Sequence, residues 1–168
     1  MTGRAWVYGD DVDTDVLAPG KYMKFGIEEI AKHCLEAVDP AFAASVRGGD
    51  VVVAGRNFGT GSSREQAPAA LRHLGVAALI AKSFAGLFYR NCFNVGLVAL
   101  VCPEAGRIRA GDAVRVDPEG GEIENVSTGE RLACEAIPAH LMAMVRDGGL
   151  LAHLEKRLAA RRAHGGEG

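Results

Sequence analysis

Residues 50–65 read DVVVAGRNFGTGSSRE, and this stretch decides the fold class. Its first part, 50–55, is a run of mostly β-branched residues, which is typical of a strand buried on both faces. A loop rich in glycine and serine follows at 57–65 and leads into a helix that is predicted to end at Gly75. Because α/β folds bind ligands where parallel strands end, we expect the functional site in this loop.

Strands and helices keep alternating after this loop. Buried strands are predicted at 76–81 and 97–102, with a helix at 83–94 between them. Earlier in the chain, a short strand is predicted at 6–8 and an amphipathic helix over roughly 26–36. This order of elements indicates a parallel sheet covered by helices.

The pattern changes after Gly106, where short segments alternate between apolar and polar residues. Further strands are predicted at 113–116, 123–126 and 131–137. We expect them to form a small antiparallel element beside the parallel layer. The predicted class is α/β, a three-layer β/β/α domain with a mainly parallel sheet. A single domain is expected over 1–158, and the basic, then glycine-rich segment 159–168 is expected to be a disordered tail.

The composition excludes several classes of function. Hydrophobic residues make up 48% of the 168 residues and charged residues 24%, so the chain is neither disordered nor fibrous. The 19 basic side chains are balanced by 21 acidic ones, which gives no electrostatic basis for binding nucleic acid or an anionic membrane. The apolar stretches are too short to span a bilayer, and residues 1–11 contain no apolar signal core, so we expect a cytoplasmic protein.

The cysteine and histidine positions do not predict a metal site. Cysteines stand at 34, 92, 102 and 134, and their separations of 58, 10 and 32 residues match neither a zinc motif nor an iron–sulfur motif. The five histidines are scattered along the chain. We expect reduced, mostly buried thiols and no metal ligands in this chain.

Ser62 allows two local structures. Ser62 and Glu65 match a capping box in which Ser62 is the N-cap of the following helix. Pro68 would then lie in the second turn, where a proline costs a backbone hydrogen bond. Either the first turn is distorted, or the helix begins nearer Pro68 and Ser62 stands on a separate, more exposed turn.

The loop taken alone also leaves its function open. Its three closely spaced glycines allow backbone N–H groups to face an anion, and a helix N-terminus adds a positive dipole end. This is compatible with a phosphate-binding loop, although the Gly-Lys-Ser/Thr string of such loops is absent. The simplest alternative is that Ser62 and Ser63 cap a helix while Arg64 is a solvated charge.

Three strings carry a resemblance to a known family. DVDTD at 11–15, NFGTGSSREQAP at 57–68 and AKSFAGLFYRN at 81–91 together resemble the small subunit of 3-isopropylmalate dehydratase, which is similar to the swivelling domain of aconitase. The resemblance covers about residues 5–140 with all motifs in order. The short length resembles the compact form of this subunit, which is also found in homoaconitase and 2,3-dimethylmalate dehydratase.

The resemblance implies a hydro-lyase that isomerises 2-isopropylmalate and 3-isopropylmalate, in leucine biosynthesis, by removing water and adding it back. Ser62 would be the base that takes the proton next to a carboxylate. Arg64 would hold a substrate carboxylate and stabilise the serine alkoxide, and Asp15 would orient these groups. Gly61 and Ser63 would contribute to substrate binding. A serine becomes a base only when donors and positive charge stabilise its anion, and this loop offers both.

The resemblance also implies a partner. The departing hydroxyl needs a Lewis acid, which in the family is a [4Fe–4S] cluster held by three cysteines of a separate large subunit. We therefore expect no cofactor in this chain and no activity without a large subunit, in a heterodimer or heterotetramer. The substrate would be a 2-hydroxy dicarboxylate.

The segment between Asp15 and the first helix holds the residues that select the substrate in this family. Isopropylmalate enzymes often have apolar residues there, whereas homoaconitases place an arginine for an additional carboxylate. Here Met23 and Phe25 are apolar and Lys24 is cationic. A homoaconitate or 2,3-dimethylmalate-type hydro-lyase therefore remains the first alternative, and a non-catalytic anion-binding module is the second.

Overall fold

A computed structural model describes residues 2–165, in which seven strands and seven α-helices are formed. The strands are β1 (Gly3–Val7), β2 (Val51–Ala54), β3 (Ala78–Ala81), β4 (Val98–Val101), β5 (Ala113–Asp117), β6 (Glu122–Asn125) and β7 (Glu130–Ala133). The helices are α1 (Thr14–Leu17), α2 (Ile27–Lys32), α3 (Phe42–Ser45), α4 (Gln66–His73), α5 (Gly86–Asn94), α6 (Ala139–Arg146) and α7 (Leu150–Gly165). Short 3₁₀ turns lie at Gly20–Tyr22 and Ala105–Arg107.

All seven strands belong to one sheet, in the order β4-β3-β2-β1-β5-β6-β7. The half from β4 to β1 is parallel, and the half from β1 to β7 is antiparallel. The antiparallel strands extend the parallel half because Gly3 of β1 pairs with Val114 of β5. The predicted α/β class is confirmed.

Helices with one apolar face cover the parallel strands. β2 and β3 are buried along their whole length. α4 buries Ala67, Ala70 and Leu71, and α5 buries Phe88 and Cys92. These positions recur every three or four residues, which places them on one side of each helix.

β1 and β2 run in the same direction side by side, so the loops that follow them leave from the same edge of the sheet. The amide of Tyr8 donates to the carbonyl of Val53 at 2.8 Å, and the amide of Gly55 donates to the carbonyl of Gly9 at 3.1 Å. This pairing brings the acidic segment after β1 next to the glycine-rich loop after β2.

The helix after the glycine-rich loop begins at Gln66, with Glu65 as its N-cap residue. Pro68 therefore occupies the third helical position, where an amide N–H has no partner inside the helix and a proline is tolerated. Of the two structures that the sequence allowed, the later helix start is correct. Ser62 is not the N-cap and stands on an exposed turn before the helix.

The C-terminal segment differs from the expected disordered tail. α7 continues through residue 159 to Gly165, and residues 166–168 lie outside the described part of the chain. Alanine, leucine and arginine dominate this segment and have high helix propensity, so the helix forms although it buries no side chain. Among residues 2–165, no helix is both long and apolar enough to cross a membrane.

Candidate active site

The site forms where the loops after β1 and β2 meet. Asp13 and Thr60 form an isolated parallel bridge between the two loops. The amide of Thr14 donates to the carbonyl of Thr60 at 2.9 Å, and the amide of Gly59 donates to the carbonyl of Val12 at 2.7 Å. Backbone hydrogen bonds therefore fix the serine loop against the first turn of α1.

Two glycines of the loop are required by its shape. Gly59 has φ +83° and lies so close to the Phe88 ring that a Cβ would overlap the ring. Gly61 has φ +103°, and a Cβ there would lie 3.2 Å from Thr14 Oγ1. Left-handed φ values favour glycine, so these residues let the chain turn tightly next to α1 and α5.

Ser62 is exposed and its hydroxyl oxygen faces two donors from the same residue. Arg64 Nε donates to Ser62 Oγ at 3.0 Å, and the Arg64 amide donates to it at 3.3 Å. The Ser62 amide in turn donates to Thr14 Oγ1 at 3.1 Å. Thr14 is only 2% exposed, so the acceptor that holds the Ser62 backbone is part of the protein interior.

Arg64 is held by the segment that contains α1. Its Nη1 donates to the carbonyl of Ala18 at 2.9 Å and lies 3.4 Å from Asp15 Oδ1. The same carboxylate oxygen accepts from the Gly20 amide at 2.8 Å. Because Nη1 and Nε have partners, Arg64 Nη2 is the guanidinium nitrogen that is directed to none of the described residues and can bind an anion.

Ser63 is exposed, and its carbonyl is held by α5. Asn91 Nδ2 donates to the Ser63 carbonyl oxygen at 3.0 Å. Asn91 belongs to the third string of the family resemblance, and this contact explains how that string supports the site. The Ser63 hydroxyl has no partner among the described residues, which leaves it able to bind a substrate.

The three residues expected to select the substrate lie just after the 3₁₀ turn Gly20–Tyr22. Met23 is half-buried and packs against the core, whereas Lys24 is exposed and Phe25 is 48% exposed. Lys24 Nζ lies 5.4 Å from the centre of the Phe25 ring. The structure joins this segment to the site through the hydrogen bond from Gly20 to Asp15, and within residues 2–165 none of the three side chains forms a hydrogen bond or ion pair with Ser62 or Arg64.

The described residues do not fit an iron–sulfur cluster or another metal. Within residues 2–165, no three His, Cys, Asp or Glu side chains come together as metal ligands. Burial raises the pKa of the Cys34 and Cys92 thiols well above the ordinary value and that of Cys134 to about 11. These raised pKa values fit thiols that pack in the protein interior.

Sequence reasoning placed Ser62, Arg64 and Asp15 together, and the structure brings these three side chains into one hydrogen-bonded group. Sequence reasoning did not predict that the Thr14 hydroxyl binds the Ser62 amide or that the Ala18 carbonyl binds Arg64. Thr14 lies in the DVDTD motif at 11–15, and its place in that motif could have indicated a role in the site. A threonine between two aspartates is equally typical of a helix start, however.

A comparison with known families identifies the class. Residues 15–105, which are more than half of the chain, match the model of the aconitase C-terminal domain, and this range contains Asp15, Ser62 and Arg64. The fold and the serine–arginine loop therefore define a domain of the aconitase C-terminal type.

Curated relatives and a solved structure narrow this class. A 3-isopropylmalate dehydratase small subunit of Heliobacterium modesticaldum is 47% identical over 161 residues, which are 95% of this chain and 97% of the relative. A methanogen homoaconitase small subunit of Methanothermobacter thermautotrophicus is 45% identical and covers 94% of this chain and 92% of its own. A crystal structure of 3-isopropylmalate dehydratase from Methanocaldococcus jannaschii superposes with a TM-score of 0.91 at 41% identity, covering 97% of this chain and 98% of that chain.

The chain belongs to the family of 3-isopropylmalate dehydratase small subunits. The near-complete coverage in both directions and the high structural similarity confirm the predicted family and the swivelling β/β/α fold.

Proposed function

We propose that this chain supplies the base of a two-subunit hydro-lyase that interconverts 2-isopropylmalate and 3-isopropylmalate. The observation that carries the proposal is the pair of N–H donors that Arg64 directs at Ser62 Oγ. The small-subunit relatives at about half identity support the same reaction and imply a large-subunit partner.

Ser62 acts as the base because its anion is stabilised where it forms. During dehydration, Ser62 Oγ takes the proton from the carbon next to a carboxylate while the hydroxyl leaves the neighbouring carbon. Rehydration adds water in the opposite sense: Ser62 gives its proton to the carbon that lost the hydroxyl, and the hydroxyl adds to the carbon that lost the proton. An alkoxide gains more than a neutral hydroxyl from the Nε–H and amide N–H of Arg64, since charge-assisted hydrogen bonds are about twice as strong.

Arg64 also positions the substrate. Its Nη2 group and its permanent charge suit a carboxylate oxygen, which accepts a charge-assisted hydrogen bond. Asp15 and the Ala18 carbonyl fix Nη1, so the guanidinium does not need to reorganise when the substrate binds. The Ser63 hydroxyl and the backbone at Gly61 complete the substrate contacts, and the segment that carries Met23, Lys24 and Phe25 lies next to the substrate's side group.

The large subunit supplies what this chain lacks. A [4Fe–4S] cluster on that subunit would supply the Lewis acid for the hydroxyl group. Base and cluster therefore meet only in the assembled heterodimer or heterotetramer, which we place in the cytoplasm. The isolated chain has no dehydratase activity on this proposal.

Homoaconitate is the second candidate substrate, because one relative is a homoaconitase small subunit and Lys24 brings a cation into the selecting segment. We favour isopropylmalate. An ammonium group without a counter-charge next to an isopropyl group would lose its hydration at a high free-energy cost, so Lys24 faces solvent and the apolar Met23 and Phe25 line the pocket.

The test is to purify the chain together with its large subunit under anaerobic conditions and to measure hydration of the dehydrated intermediates of both substrates. We expect activity only in the complex, with isopropylmalate as the better substrate. A chain that binds inorganic phosphate but gives no hydro-lyase activity with the large subunit would instead be a non-catalytic anion-binding module. Stoichiometric iron and sulfide on the isolated chain would contradict the proposal that the large subunit alone binds the cluster.

A further inference from the structure

An aromatic stack holds the segment that precedes Met23 against the end of α2. The rings of Tyr22 and His33 lie 3.6 Å apart between centroids, with 6° between their planes. Tyr22 ends the 3₁₀ turn next to Asp15 and Arg64, whereas His33 directly follows α2. The stack therefore joins the residue before Met23 to the residue after α2, across the connection that carries Met23, Lys24 and Phe25.

Both ring nitrogens of His33 are engaged by carboxylates. Nδ1 lies 2.7 Å from Glu36 Oε2, and Nε2 lies 3.2 Å from Glu29 Oε1. An ionised carboxylate only accepts hydrogen bonds, so both nitrogens must carry a proton, which makes the ring an imidazolium. The hydrogen bond to Glu36 is the largest contribution that raises the pKa of His33 above its ordinary value.

A cationic ring on the face of a tyrosine is attracted by the ring quadrupole in addition to the stacking contact. The charged groups around this pair are Glu29 and Glu36 at His33, Lys32, which bonds Glu29 at 3.3 Å, and Lys21, whose Nζ lies 5.1 Å from the Tyr22 ring centre. α4 packs against α2 but gives His33 no hydrogen bond or ion pair within residues 2–165.

We infer that Tyr22 and His33 are positioning residues that hold the substrate-selecting segment in one conformation, with His33 acting in its protonated form. The role in selecting the substrate rests on the proposed function, whereas the anchoring itself does not. The two parts are therefore tested separately.

Anchoring is measured on the full chain without its partner by limited trypsin digestion. Cleavage after Lys24 is quantified by mass spectrometry in the wild type and in Tyr22→Ala, Tyr22→Phe and His33→Phe. We expect Tyr22→Ala to be cleaved there about fivefold faster, because the stack no longer opposes local opening. Tyr22→Phe keeps the ring and should stay within about twofold of the wild type. Unchanged cleavage after the remote Arg47 shows that a variant remains folded.

The charge is tested by repeating the digestion at several pH values, with each rate divided by that of a free peptide of residues 20–29. The His33 pKa is raised by folding, so the anchor is complete at low pH and is lost as the pH rises through that pKa. Relative cleavage after Lys24 should therefore increase with pH in the wild type and stay flat in His33→Phe. Equal cleavage in the wild type and Tyr22→Ala, or a flat wild-type profile, would overturn the anchor.

Selectivity is measured in the assembled enzyme as the ratio of kcat/KM for isopropylmalate to that for homoaconitate. We expect Tyr22→Ala to lower this ratio at least about threefold, while Tyr22→Phe preserves it. A segment that loosens without any change in the ratio would overturn the specificity role and leave the anchor standing. A complex with no activity on either substrate, combined with normal anchoring, would mean instead that the proposed function has failed.

Discussion

Arg64 Nε lies 3.0 Å from Ser62 Oγ, and the backbone amide of the same arginine lies 3.3 Å from that oxygen. On the proposed function, the residue that would bind the substrate carboxylate would thus also stabilise the base. Nη1 is fixed by the Ala18 carbonyl at 2.9 Å, so the guanidinium plane is set before any substrate arrives. Lysine could not replace it, because one ammonium cannot hold Ser62, Ala18 and a carboxylate in a planar arrangement.

Replacing Ser62 with alanine should lower kcat of the assembled enzyme by about 10³-fold while KM changes little, because a base acts mainly in the transition state. Ser63→Ala is the matched variant, one residue away on the same exposed turn. It should cost less than about tenfold, since it removes one neutral hydrogen bond to the substrate. A Ser62→Ala enzyme with near-normal turnover would return this serine to a structural role.

Thr14 is expected to position the base without touching the substrate. Thr14→Val keeps the shape but removes the acceptor of the Ser62 amide, which should destabilise the fold by about 1 kcal/mol and lower kcat at least about tenfold. Thr14→Ser restores the hydroxyl and should recover most of the turnover. The second measurement is the pH profile of kcat at its acid and alkaline limits. A displaced Ser62 would lose the donors that stabilise its alkoxide, so we expect these limits to shift. Equal pH profiles of kcat in Thr14→Val and the wild type would show that Thr14 contributes only to packing.

The main residues of this site could be predicted because they stand in short motifs that carry the family resemblance. Ser62 and Arg64 stand two residues apart in one motif, but the loop alone was equally compatible with a helix cap or a phosphate-binding loop, and only the resemblance implied a stabilised serine anion. Contacts between distant segments could not be predicted in the same way. Nothing near Thr14 in sequence shows that its hydroxyl meets the Ser62 amide, and the pairing of Gly3 with Val114 that joins the antiparallel strands to the parallel half spans more than 100 residues.

Gly59 should tolerate no side chain. Its φ of +83° is strained for alanine, and the added Cβ would overlap the Phe88 ring, so Gly59→Ala should lower the free energy of unfolding by about 3 kcal/mol. Gly86 is the control, because it begins α5 with no atom within 4 Å of an added Cβ. Gly86→Ala should change stability by less than about 0.5 kcal/mol. Urea titrations of both variants measure the difference in the free energy of unfolding. Equal midpoints would contradict the close packing of Gly59 against the Phe88 ring.

Asp50 should make the free energy of unfolding depend on pH. Burial alone would raise the pKa of this carboxylate, but hydrogen bonds from Trp6 Nε1 and from the amides of Arg47 and Arg4 outweigh burial and lower it. A lowered pKa means that the contribution to stability is complete above the unfolded pKa of about 3.9 and is lost as the pH falls through the folded value.

Asp50→Asn should therefore cost about 2 kcal/mol at pH 7, because an amide presents N–H groups to donors that need an acceptor. The gap to the wild type should shrink as the pH falls below about 4, because the Asp50 carboxylate of the unfolded chain then binds a proton while the folded one is still ionised. Glu155→Gln on the exposed α7 is the control and should match the wild type throughout. A gap that stays constant down to pH 2 would show that the ionised form of Asp50 is not what stabilises the fold.

On the proposed function, we expect the orientation of Lys24 to decide which substrate is preferred. Its side chain is exposed, and Nζ lies 5.4 Å from the Phe25 ring centre, which fits a cation that stays in solvent over an aromatic face. We expect the wild type to prefer isopropylmalate, and Lys24→Val to change the kcat/KM ratio for isopropylmalate over homoaconitate by less than about threefold. Lys156→Val on α7 removes the same charge far along the chain and controls for net charge. A wild-type preference for homoaconitate that Lys24→Val reverses would show that Lys24 points into the pocket and binds the additional carboxylate, with Ser62 and Arg64 retaining their proposed roles.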